Sequence, residues 1–109
     1  MIKEQSFEPS SRYDFDFDEC NYKKGWCQID TTEDAPYYGN WFNAKELKAT
    51  HYCEGDVTRV TCETEDELAE YIADWIKWSY DIGYNARIDT FGIKEAVWFL
   101  ERHNLSEYA

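Results

Sequence analysis

The chain has 109 residues, about the size of one domain, and its 43 % hydrophobic and 18 % aromatic content excludes a disordered acidic tail. Against 11 Lys and Arg stand 23 Asp and Glu, a formal charge of −12 that repels DNA, RNA and anionic membranes and favours basic partners. No apolar run has the length of a signal peptide or a bilayer span, so a soluble cytoplasmic protein with reduced cysteines is expected.

Residues 1–109 read as a single domain in which residues 1–11 are expected to be loosely ordered, because Pro9-Ser10-Ser11 interrupts any early element. Alternation then begins. Tyr13, Phe15 and Phe17 fall on one face of a strand and Arg12, Asp14, Asp16 and Asp18 on the other. After a turn at Lys23-Lys24-Gly25, residues 26–30 form a second strand, expected to pair antiparallel with the first. Residues 37–43 suggest a short aromatic strand interrupted at Gly39. Residues 46–53 and 57–62 flank Glu54-Gly55-Asp56 as a hairpin.

At Thr64 the period changes from two to about 3.6, and Thr64-Glu65-Asp66-Glu67 has the form of a capping box. The helix it opens places Leu68, Tyr71, Ile72, Trp75, Ile76 and Ser79 inward, with Glu67, Glu70, Asp74, Lys77 and Asp81 outward and a stop at Gly83. A second helix is expected from about Phe91 to His103, capped by Asp89 or Thr90, with Ile93, Ala96, Val97 and Leu100 inward. The fold class is therefore α+β: an antiparallel meander of four to five strands, two C-terminal helices packed on one face, and a polar face open to solvent.

The acidity is local. Residues 54–74 hold eight acids against Arg59, whereas residues 75–109 hold five acids against four bases. One stripe of a helix repeats every ~5–6 Å and alternate strand residues every ~6.6 Å, spacings comparable with those of phosphates along a nucleic-acid strand. A surface carrying such rows can occupy a basic groove meant for nucleic acid, gaining steering and counterion release. Against this, Glu65, Asp66 and Glu67 occupy a helix first turn, where the macrodipole favours acids in any protein, and Asp14, Asp16 and Asp18 fit the solvated face of a strand.

Cys20, Cys27, Cys53 and Cys62 lack the Cys-x-x-Cys knuckles of zinc ribbons and read as small buried hydrophobes, with Cys53 and Cys62 near one another in the hairpin. Neither His51, alternating along a strand, nor His103, in a helix last turn, has a nucleophile or orienting partner in sequence, so no catalytic residue and no cofactor is expected. Trp78 and Trp98 lie off the buried helical stripes, beside Lys77 and Lys94. There they serve as wide-core residues or, exposed, as anchors of a homodimer.

The block Ala35-Pro36-Tyr37-Tyr38-Gly39-Asn40-Trp41-Phe42-Asn43, with Tyr52-Cys53-Glu54-Gly55-Asp56-Val57-Thr58 and Cys62-Glu63-Thr64, resembles segments of small uncharacterised acidic proteins of phages and proteobacteria over about half the chain. That resemblance implies a phage or prophage origin and carries no activity with it. In size and charge the chain is also similar to small acidic phage proteins that block host restriction or CRISPR systems. The expectation is thus a non-enzymatic inhibitor of anti-restriction or anti-CRISPR type, meeting a basic surface of a nucleic-acid-handling host protein. Asp14, Asp16, Asp18, Glu63, Glu67, Glu70 and Asp74 would form the contact. The alternative is an interaction module that associates through Trp78 and Trp98.

Overall fold

The computed structural model describes residues 3–7, 22–30, 40–53, 56–81 and 85–109, omitting the side chains of residues 4–7, 30, 52, 53, 56 and 57. Strands β1 (Lys3–Phe7), β2 (Trp26–Asp30), β3 (Asn40–Asn43), β4 (Lys48–Cys53), β5 (Asp56–Thr61) and β6 (Arg87–Asp89) form one sheet in the order β1-β5-β4-β3-β2-β6. Every pairing is antiparallel. Helices α1 (Glu65–Asp81) and α2 (Lys94–Arg102) complete an α+β fold.

The central strands β2 to β5 run as a meander, but strands from the two ends of the described chain close its edges, so the sheet has six strands. Lys3–Phe7, expected to be loose, hydrogen-bonds to β5 in the register Lys3↔Thr61 to Phe7↔Val57. It lacks a period-two signal, and its place comes from the edge that β5 offers. β2 has the predicted bounds and different neighbours: β3 lies on one side and β6 on the other. The predicted partner, residues 12–18, lies outside the described residues, as do Gly39, Gly83 and Cys20.

Directly opposed residues of antiparallel strands share a face, so the row Cys27↔Phe42↔Ala49↔Val60 defines the side that meets the helices. Those four residues form one apolar cluster with Ile29 and Ile88, with Leu68, Ile72 and Ile76 of α1, and with Ala96, Phe99 and Leu100 of α2. α1 has ~25 Å of length at 1.5 Å per residue, enough to carry the chain from β5 past three strands to the β6 edge.

The opposite face is open at Lys48, Arg59, Thr61, Arg87 and Asp89, all exposed, but not in its middle. Trp26 is 3 % and Trp41 9 % exposed there, with Thr50 also buried, although all three have the opposite parity to the core row. Hairpin register also separates the two cysteines expected to be neighbours. Cys53 faces Asp56 at the turn, whereas Cys62 follows Thr61↔Lys48 at the far end, ~17 Å away at the strand rise.

The Thr64 capping box forms. The Thr64 hydroxyl accepts from the Glu67 N–H at 3.2 Å, while the Glu67 carboxylate accepts from the Glu63 N–H at 3.2 Å. A Thr64→Ala variant should lose about 0.5–2 kcal/mol in denaturant unfolding with an unchanged m-value. α2 starts later than predicted, because the Asp89 carboxylate accepts from the Phe91 N–H in a turn and Phe91 and Gly92 both take positive φ. Neither Asp89 nor Thr90 is its N-cap; Ile93 is, without a side-chain bond. Glu46 and Leu47, read as strand, belong to the β3–β4 turn, since the Asn43 side chain accepts from the Glu46 N–H and Leu47 sits at φ 58°.

Candidate functional site

On α1, a rotation of about 100° per residue sets Glu67, Glu70, Asp74 and Asp81 within one stripe opposite the buried Leu68, Ile72, Ile76 and Ser79. Glu63 precedes the helix and Trp78 continues the stripe beyond Asp74. Glu63, Glu70, Asp74 and Asp81 are exposed, Glu67 is half-buried, and Lys77 interrupts the row at its edge.

These carboxylates do not share one role. Glu67 is held in the capping box, where it accepts from Glu63 N–H, so its first duty is to close the helix. Glu65 is paired with Arg102 and Asp66 lies 3.6 Å from His103, two contacts that tie the start of α1 to the end of α2. Glu70 and Asp74 remain as the solvent-facing middle of the stripe. Asp14, Asp16 and Asp18 lie outside the described residues.

Trp78 is 49 % and Trp98 52 % exposed. Trp78 is braced from below: its ring lies 4.9 Å from Trp75, and Trp75 meets the edge of His51 at 4.2 Å, an aromatic ladder that runs from the sheet to the surface. Trp98 lies on α2 with Phe99 and Leu100 pointing the other way into the core. Among the described residues no ring contact joins the two tryptophans.

Under this ladder is a group of buried polar atoms that sequence reading missed. Asn40 and His51 are directly opposed on β3 and β4, on the helix-facing side. Both amide atoms of Asn40, the His51 Nε2 and the Trp75 Nε1 are buried without hydrogen-bond partners among the described residues. Burial lowers the His51 pKa to about 4, so the ring is neutral at pH 7. Burial, reinforced by Asp89, raises the Cys27 thiol to about 12, and burial followed by Glu67 raises Cys62 as well. Neither thiol has the depressed pKa of a nucleophile.

Among the described residues no three His, Cys, Asp or Glu side chains converge as a metal site, and no helix is long and apolar enough to cross a membrane. No protein-family model, curated protein or solved structure matches the chain. Any functional reading therefore rests on the surface itself.

A second surface feature was also missed. The 3-10 turn Tyr22–Lys24, the β3–β4 turn and the first turn of α2 enclose a pocket of about 280 Å³ that carries Lys23, Lys24 and Lys45. Only the Lys23-Lys24 pair was visible in sequence, as a turn. The third lysine and the helix end come from segments about 20 and 70 residues away.

Proposed function

We propose that the protein is a non-enzymatic acidic binder, of phage or prophage origin, that inhibits a host nucleic-acid-handling protein by occupying its basic groove. The outward stripe of α1 carries the reading: Glu70 and Asp74, one turn apart at ~6 Å of rise, extended by Glu63 toward the start of the helix and Asp81 toward its end. Asp14, Asp16 and Asp18 are assigned to the same contact. Glu67 contributes charge to it while serving the cap, so it is a poor site for a test that must leave the fold intact.

The test is capture of partners from bacterial lysate at about 0.05 M and about 0.5 M salt, with competition by duplex DNA. The expected partner is nucleic-acid-binding, is released by salt and by DNA, and binds the combined Asp14→Asn, Asp16→Asn, Asp18→Asn, Glu70→Gln and Asp74→Asn variant at least about tenfold more weakly, or ~1.4 kcal/mol. Retention at high salt with no loss in the neutralised variant overturns the proposal.

The exposure of Trp78 and Trp98 favours a second reading, association through the helices with a second copy or an apolar partner. Such a complex survives 1 M salt and is lost on Trp78→Ser or Trp98→Ser, which separates it from the first.

A further inference from the structure

An anionic chain that gathers three of its 11 bases around one pocket has placed them against its own electrostatic average, and the fold supports that placement from beneath. Asn43 is buried between the two lysine-bearing turns. Its Nδ2 donates to the Lys24 carbonyl at 3.1 Å and its Oδ1 accepts from the Glu46 N–H at 3.0 Å. Gly25 makes room for that amide, since a Cβ at this position, with φ at +94°, would sit 3.2 Å from Asn43 Nδ2. Leu47 takes the left-handed conformation that closes the second turn. Lys23 and Lys45 are thus brought to one cavity by a buried hydrogen-bonded staple, and among the described residues neither has an ion-pair partner.

The third wall supplies donors of another kind. α2 is nine residues long, begins at Ile93 with no side-chain cap, and lines the pocket with Ile93, Glu95 and Ala96. The N–H groups of its first turn have no partner within the helix and carry the positive end of its dipole. Among the described residues of the lining, Glu95 is the one carboxylate, beside Lys23 and Lys45. Tyr22 lines the pocket, and its ring lies 5.4 Å from that of Phe91, which is outside the lining; both rings are exposed, and Phe91 sits at φ 51° in the turn that Asp89 closes.

We propose that this pocket binds a mononucleotide: Lys23, Lys45 and the first turn of α2 hold its phosphate, and the Tyr22–Phe91 pair takes the base. Its volume suits one nucleotide rather than a polymer, and the chain's overall charge opposes a long polyanion. None of these residues belongs to the acidic stripe of α1, so the site stands or falls independently of the inhibitor reading.

Calorimetric titration of the full chain with AMP at about 0.05 M salt tests it, with adenosine and inorganic phosphate as the other arms. Saturable AMP binding is expected, weaker for phosphate and undetectable for adenosine. A Lys23→Gln, Lys45→Gln variant should lose at least about tenfold in affinity, the scale of one charge-assisted contact, with unchanged melting because both side chains are exposed. Glu95→Gln should tighten binding. Absence of AMP binding, or AMP affinity unchanged in the lysine variant, overturns the site. Phosphate binding as tightly as AMP overturns the role given to Tyr22 and Phe91.

Discussion

Replacing Phe42 by Ala should cost about 3–5 kcal/mol, the range expected for a fully buried aromatic ring. Phe42 is fully buried in the row between Cys27 and Ala49, and its ring meets Phe99 of α2 at 6.0 Å. It therefore joins the centre of the sheet to the shorter helix, and removal of the ring empties space that neither neighbour can fill. Cys27 and Ala49 are small, and their backbones are fixed by pairing, Ala49 on both sides and Cys27 with Phe42. A domain of this size holds about 5–15 kcal/mol in total, so the variant should be marginal at 37 °C. Urea unfolding gives the number, and Phe42→Leu, which refills most of the void, should recover more than half of the loss. A loss below about 1 kcal/mol for the Ala variant would mean that the helices are not anchored through this contact.

Local chemistry made half of this structure legible in advance. Residues 26–30, read as a strand after the Lys23-Lys24-Gly25 turn, form β2 with those bounds, and the Thr64–Glu67 box starts α1 where the hydrophobic period changes. Both signals lie within a few residues of one another. β6 has only three residues, with Ile88 its one buried side chain, too short a segment for any period to register. β1 has no alternation and is placed by pairing with β5. Phe99 was missed because it lies one position from the stripe assigned to α2, a stripe displaced when the helix began at Lys94.

The same division applies to the candidate surfaces. Glu70 and Asp74 were readable because a helix converts spacing into a face without help from the rest of the fold. The lysine pocket was not, because Asn43 assembles it from two turns and the end of a helix that are distant in sequence. Nor did charge counting show that Glu65 and Glu67 are committed to Arg102 and to the cap. A count of carboxylates overstates a contact surface wherever the helix start uses them for its own closure.

His51 should make the fold less stable as pH falls. Its pKa falls from 6.5 to about 4 because burial against Trp75 disfavours the charged ring. At pH 7 both folded and unfolded chains hold it neutral. As pH falls below 6.5 the unfolded chain takes up a proton that the folded chain refuses, so stability is lost progressively until about pH 4 and no further below it. A difference of about 2.5 units at 1.36 kcal/mol each gives a ceiling on the order of 3 kcal/mol, reduced where water reaches the ring. Meanwhile a chain of −12 loses self-repulsion as its carboxylates protonate, which offsets part of the change in the wild type. The difference between proteins isolates the histidine. His51→Phe keeps an aromatic ring against Trp75, removes the unpartnered Nε2 and has no proton to take up. Denaturant unfolding of both at pH 7.5, 5.5 and 4 should show similar stability at pH 7.5, or a small gain for the Phe variant, and then an advantage of the variant that widens to about 2–3 kcal/mol at pH 4. Parallel pH profiles would place His51 in water, and the ladder from the sheet to Trp78 would lose its base.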